Sequence, residues 1–193
     1  MNCNNLINIS VGDRCESVTK GYKDTAVIIN FEDVDFDSIT RDEANRHIVT
    51  ALSLKDGKYG YKIKQRSAKK FNGTKSSMTS TDYQNEMGHT IQFFVPDADA
   101  TTVNGFLQPL KDGALVVVIL ERTTQGTDGK SAFEVYGLDS GCTVATMDKD
   151  GNGDSGHGAL VAMTETSPSV MTFLFNESYD ATKLIVDGLV KNS

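Results

Sequence analysis

Residues 133–175 read FEVYGLDSGCTVATMDKDGNGDSGHGALVAMTETSPSVMTFLF, and the fold class turns on them. Valine, threonine and phenylalanine dominate runs at 132–138, 143–147, 159–166 and 170–175, with Gly/Asp clusters between them. Branched and aromatic side chains fit a pleated sheet and Gly and Asp supply turns, so the stretch predicts four short strands. Two patterns inside it imitate reactive sites. Asp148, Asp150, Asn152 and Asp154 set oxygen ligands around Gly153, and Gly153-Asp154-Ser155-Gly156 offers a hydroxyl on a tight turn.

Working outward, ALVVVIL at 114–120 is the most apolar run and predicts a central strand with both faces buried. Val103, Phe106, Leu107 and Leu110 recur at helical spacing, with Asp97 or Asp99 as the cap and Gly113 as the stop. Residues 89–95 read as a strand ended by Pro96, and 25–31 (TAVIINF) and 46–54 (RHIVTALSL) as two more. Between the last two lies an acidic stretch, read as an exposed loop, with Glu32, Asp33, Asp35, Asp37, Asp42 and Glu43. Asp56-Gly57 predicts a hairpin turn into KYGYKIKQR at 58–66, where Tyr59, Tyr61 and Ile63 face away from Lys58, Lys62 and Lys64. Lys69, Lys70 and Lys75 continue the basic run, which predicts an extended hairpin arm over residues 55–81. Residues 178–190 predict a short capped helix with Leu184, Ile185 and Leu189 as its apolar stripe. The expected organisation is an N-terminal arm (1–24) and a single mainly β domain (25–193). That domain is a β-sandwich or barrel with one flanking amphipathic helix and a short C-terminal helix.

The 193 residues carry 26 Asp and Glu against 19 Lys and Arg, a net charge of −7 at pH 7. Such a chain does not coat nucleic acid by neutralising phosphates. No apolar stretch approaches the roughly 20 residues that cross a bilayer, so no membrane insertion is expected. The opening, MNCNNLINISVGDR, lacks the cationic lead and apolar run of a secretory signal, and the expectation is synthesis in a cytoplasm. Cys3, Cys15 and Cys142 have no C-x-x-C spacing and no histidine pair nearby, which predicts idle thiols rather than a zinc site.

Asp148, Asp150, Asn152 and Gly153 match the start of a calcium loop whose twelfth position supplies a bidentate glutamate. Position twelve here is Ala159, and the flanks read as strands rather than helices. A hairpin loop turned by Asp, Asn and Gly accounts for the same residues. The Ser155 turn, followed by Ala159-Leu160-Val161, resembles the nucleophile segment of chymotrypsin-like serine proteases. In that family the base closes a V-T-A-A-H-C segment, and the nearest match here, IVTALS at 48–53, has Ser53 in its place. His47 and His89 stand in no matching context, and a serine without a positioned base does little. The expectation is no catalytic residue, no cofactor and no enzyme activity. A calcium-stabilised β-sandwich binding module and a protease using Ser155 stand as alternatives.

The order of elements is a basic arm, a strand, one helix, a very apolar strand and then strands with variable Gly/Asp loops. Together with Met78-Thr79-Ser80-Thr81, the helix at 103–110, GALVVV at 113–118, FEVYGLDSG at 133–141 and the strand pair 160–166 and 170–175, it resembles a known family. That family is the tail-tube type of structural protein in tailed bacteriophages, including head–tail ring proteins of crAss-like phages of Bacteroides-like hosts. The resemblance covers roughly residues 45–175. It implies a virion component of the tail or head–tail junction, assembled in the host cytoplasm. Copies would form a homo-oligomeric ring beside neighbouring tail or portal-associated proteins, with double-stranded DNA passing through the lumen without specific binding.

Physical features of the chain agree with that implication. Ring closure covers strand edges that a lone sandwich leaves open. An acidic lumen repels the phosphate backbone. The expected subunit interface sets Lys58, Lys62, Lys64, Lys69 and Lys70 against Glu32, Asp33, Asp35 and Asp37 of a neighbour.

Overall fold

The computed structural model describes residues 21–65, 74–80, 82, 84–95, 98–149 and 158–191. Its strands, in chain order, are β1 (Tyr22–Asn30), β2 (Thr40–Arg41), β3 (Ile48–Ala51), β4 (Tyr61–Lys64), β5 (Lys75–Ser80), β6 (Asn85–Val95), β7 (Val116–Arg122), β8 (Phe133–Tyr136), β9 (Thr143–Asp148), β10 (Ala159–Ser167) and β11 (Phe173–Leu174). They form a seven-stranded sheet, β2-β3-β11-β8-β7-β1-β4, and a four-stranded sheet, β5-β6-β10-β9. The molecule is mainly β, as its composition predicts.

Strand periodicity explains the layering. Val116, Val118 and Leu120 of β7, with Ala26 and Ile28 of β1, point into a core shared with Ile91, Phe93 and Val95 of β6 and Val161 and Met163 of β10. Val117 and Ile119, with Val27 and Ile29, point the other way, into a second core closed by Val186 and Leu189 of the C-terminal helix. The ALVVVIL run is therefore apolar at every position because it serves two cores, and all five residues from Val116 to Leu120 are at most 2% exposed.

Backbone devices join the two sheets. The Gln65 N–H donates to the Asp24 carbonyl at 2.6 Å, at the end of the β1–β4 ladder. Its side chain meanwhile bonds both the N–H (2.9 Å) and the C=O (2.8 Å) of Phe94 in β6. A side-chain amide thus acts as one unit of a strand beyond the end of β5. At the other crossing Val116 and Cys142 exchange backbone bonds, and Gly137 turns the chain at φ 80°. A Cβ at Gly137 would stand 2.4 Å from the Val116 carbonyl oxygen, so only glycine fits there.

Both helices depart from their sequence patterns. Residues 100–111 form one helical stretch capped by the Asp99 carboxylate, which accepts from the Thr102 N–H at 2.7 Å. Its middle, Val103–Leu107, is a π turn. Pro109 lacks an N–H and its ring conflicts with the carbonyl four residues earlier, and the wider turn accommodates both. The extra residue rotates Val103 to the surface (38% exposed), leaving Phe106, Leu107 and Leu110 on the core. In the C-terminal helix, Tyr179–Gly188, Leu184 is 74% exposed, and the buried stripe is Thr182, Val186 and Leu189 with Ile185 partly covered. Thr182 can be buried because its hydroxyl donates to the Ser178 carbonyl and accepts from the Asn176 N–H.

Two further expectations are corrected. The acidic segment is not simply an exposed loop: it holds 3-10 turns at Phe31–Asp33 and Phe36–Ser38, and Asp33 and Val34 are buried. Asp56-Gly57 does turn the chain, with Gly57 at φ 73° and the Lys58 N–H on the Lys55 carbonyl, but the strands around it do not form a hairpin. β3 pairs with β2 and β11, whereas β4 crosses to the free side of β1, where Ile63 reaches the inter-sheet core. Within the expected 55–81 arm, β4 belongs to the large sheet and β5 to the small one. Residues 66–73, with Lys69 and Lys70, lie outside the described residues.

The rotated stripe has a direct check. Val186→Ala should cost about 1–3 kcal/mol in urea unfolding, whereas Leu184→Ala should stay within about 0.5 kcal/mol of the parent. The reverse order would restore the stripe read from the sequence.

Candidate functional site

The features that bear on function gather at the small sheet. Its outer strands β5 and β9 each have a strand on one side only among the described residues. All six residues of β5 are exposed, and Met78 stands 65% exposed among serines and threonines. In the large sheet the ends are blunted differently: β2 is two residues long, and β4 is short and carries Lys62 and Lys64.

The space between the sheets is apolar at one end and polar at the other. His89 continues the inward row of Ile91, Phe93 and Val95, and Glu165 continues that of Val161 and Met163, so the two stand opposite each other in the β6–β10 ladder. Glu134 and Tyr136 reach them from β8, with the rings of His89 and Tyr136 meeting edge to face. Every buried side-chain N and O atom among the described residues has a partner. His89 Nε2 donates to the Ser169 carbonyl (3.0 Å), and in the neutral ring Nδ1 accepts from the Ser76 hydroxyl of β5 (2.7 Å). The Glu134 carboxylate accepts from the phenols of Tyr22 and Tyr136 and faces the Arg122 guanidinium at 3.5 Å. Glu165 accepts from the Gly137 N–H at 2.6 Å.

Burial sets the proton affinities here. It raises the Tyr136 phenol, and the Glu134 charge adds to this; the same two causes raise Tyr22. Burial also pushes up the Cys142 thiol, which is an inert core group rather than a nucleophile. Glu165 is held above the usual carboxylate range by burial, against the opposing pull of the Gly137 N–H and His89. With its polar atoms partnered, this cluster acts as a lock between the sheets, and Ser76–His89–Ser169 ties edge strand β5 to it.

The opposed charges expected at a subunit interface meet in part within the chain. Residues 33–35 pair with 53–55, and the Asp56-Gly57 turn swings Lys58 back onto buried Asp33 at 2.9 Å. Asn30 donates to the same carboxylate, and Lys55 Nζ donates to the Glu32 carbonyl. Lys58, then Asn30, hold Asp33 below the usual carboxylate range. Asp37 is exposed and Asp35 half-buried, while Lys62 and Lys64 point outward on β4. Asp148 is exposed at the end of β9, and Asp150, Asn152, Asp154 and Ser155 lie outside the described residues. The segment that holds them joins two antiparallel strands, β9 and β10. Among the described residues no group of three or more His, Cys, Asp or Glu side chains is placed to hold a metal ion, and no helix is long and apolar enough to cross a membrane. His47 is exposed and His89 is part of the lock.

Sequence reasoning passed over Glu134, Glu165 and Gln65. Parity carried a signal for two of them: each glutamate sits at a position where strand alternation demands an inward side chain. In comparisons with protein-family models, curated proteins and solved structures, nothing matches the chain.

Two titrations of opposite sign follow. Because the folded state raises Glu165, its contribution is present below the unfolded pKa and lost as pH rises through the folded one. Glu165→Gln should therefore flatten the decline of urea stability above about pH 4, and an unaltered slope would contradict the assignment. The folded state lowers Asp33, whose contribution is present above the unfolded pKa and lost as pH falls through the folded one. Asp33→Asn should thus destabilise the protein at neutral pH and narrow its difference from the parent below about pH 4.

Proposed function

We propose that this chain is a bacteriophage virion structural protein of the tail-tube type. In this reading copies close into a ring of the tail tube or head–tail connector around the DNA channel. One observation carries it: among the described residues the small sheet presents unpaired strands at both of its sides, and those strands run in opposite directions. Three antiparallel pairings separate β5 from β9, so the two are antiparallel to each other. A rotation that sets β9 of one copy beside β5 of the next continues the alternation, and a closed ring of such sheets leaves no edge.

The outer face of the small sheet suits a channel lining. Register places Thr90, Gln92, Thr143, Thr146, Thr164 and Thr166 on it, with Lys75, Glu86 and Asp148 as its charges. Phe94 and Leu160 form an apolar pair at one end of this otherwise polar face; with few charges it neither grips phosphates nor reads bases, so DNA would slide past. Lys62 and Lys64, which unlike Lys58 have no ion-pair partner among the described residues, remain available to acidic groups of a neighbouring copy or of adjoining tail or portal-associated proteins. The location implied is the virion, after assembly in the host cytoplasm.

Ser77 and Thr146 share the outer face on the two edges and give a charge-swap test. Ser77→Lys with Thr146→Lys should abolish rings in negative-stain images and light scattering, because like charges meet at each seam. Ser77→Glu with Thr146→Lys should restore them. A parent protein that stays monomeric when concentrated refutes the reading.

A further inference from the structure

The outer edge of β4 lies in the other sheet, away from the proposed ring seam, and it is flanked by a groove on each face. On the face of the C-terminal helix, a groove of about 490 Å³ has Val27, Ile119 and Phe133 as its floor and Lys62, Lys183 and Lys191 at its rim. Its acids are already engaged, Glu121 by Lys23 and Asp187 by Lys183, whereas Lys62 and Lys191 have no anionic partner among the described residues. On the opposite face, a groove of about 270 Å³ is lined by Tyr61, Phe106, Pro109 and Leu110 and is mostly apolar. Strand alternation assigns Lys62 to the first groove and Tyr61 to the second.

The same edge already takes a backbone partner at one end. The Gly60 N–H donates outward to the Leu189 carbonyl at 2.7 Å, and Gly60 and Val190 form a parallel bridge. A Cβ at Gly60 would come within 2.9 Å of Ile29, so glycine holds this junction close to β1. Inward N–H groups alternate with outward ones along an antiparallel strand. With the Gln65 N–H on the Asp24 carbonyl facing β1, the main-chain groups of Lys62 and Lys64 face outward beyond that bridge.

We infer that the β4 edge docks an extended segment of another protein in which carboxylate and apolar side chains alternate. Main-chain bonds to Lys62 and Lys64 hold the segment, its carboxylates enter the lysine-rimmed groove, and its apolar side chains enter the groove of Tyr61 and Phe106. The unpartnered lysines select the acidic partner, since a basic strand would bring like charges together on the same side. This docking does not depend on ring closure, which uses the other sheet.

The probe is a fluorescein-labelled octapeptide of alternating valine and glutamate, titrated with the purified chain by fluorescence anisotropy. Binding is expected to weaken as salt rises. Lys62→Glu should weaken it roughly five- to tenfold, while Lys75→Glu on the small sheet leaves it unchanged. Tyr61→Ser should weaken it independently, and N-methylation of alternate peptide amides or replacement of glutamate by lysine should abolish it. Absence of binding, binding unmoved by Lys62→Glu, or binding moved instead by Lys75→Glu each overturns the inference. So does self-association lost in Lys62→Glu without peptide binding, which would give the edge to a second copy. Rings in micrographs of a protein that ignores the peptide would leave the ring reading standing and remove this one; peptide binding without rings would do the opposite.

Discussion

The structure depends on burying β7 and β1 from both sides. Five consecutive apolar residues of β7 and four of β1 lose nearly all their solvent contact, which only a strand sandwiched between two layers achieves. Each fully buried aliphatic side chain contributes about 1.5–3 kcal/mol of transfer free energy, so this pair outweighs any polar contact in the molecule. Everything else is arranged to cover those two faces: the small sheet and the helix at 100–111 on one, the C-terminal helix on the other. The Asp56-Gly57 hairpin signal gives way to the same demand, because β4 covers the flank of β1 rather than pairing with β3.

Against that background the polar end of the core has a definite role. Hydrophobic burial is non-directional and does little to fix how one sheet sits over the other. Paired hydrogen bonds do so, because a slipped register leaves buried donors and acceptors unmet. The Gly137 N–H on Glu165, the Thr74 hydroxyl on the Tyr22 phenol and the Gln65 clasp on Phe94 cross between the sheets and supply that direction, while Ser76–His89–Ser169 ties β5 to its neighbours. They hold the exposed edge strand β5 in place, and among the described residues no strand pairs with its outer side.

Much of the strand content was legible in the sequence, because period-two alternation and Gly/Asp turns are local. The calcium-like loop illustrates the same point: its flanks read as strands, and β9 and β10 are strands. The helices were less legible. Val103 and Leu184 belong to apolar stripes, yet a proline-driven π turn exposes one, and the C-terminal helix buries Thr182, its hydroxyl satisfied, and Val186 instead of the other. Of the candidate interface, the outward lysines of β4 were legible, whereas the Lys58–Asp33 pair was not, since it forms only when residues 33–35 and 53–55 come together.

By itself the sequence determined a mainly β chain with a doubly buried central strand, a capped C-terminal helix and an acidic surface, because these follow from near-neighbour pattern and composition. Only the tertiary structure decided which strands become edges, which charges are used up inside the chain, and where glutamate and histidine can be buried. Those outcomes depend on partners far apart in sequence: His89 with Ser169, Gln65 with Phe94, and Gly60 with Leu189. No local period encodes such pairings, because a hydrogen bond between segments distant in sequence is chosen by the packing of the whole core rather than by the residues on either side of it.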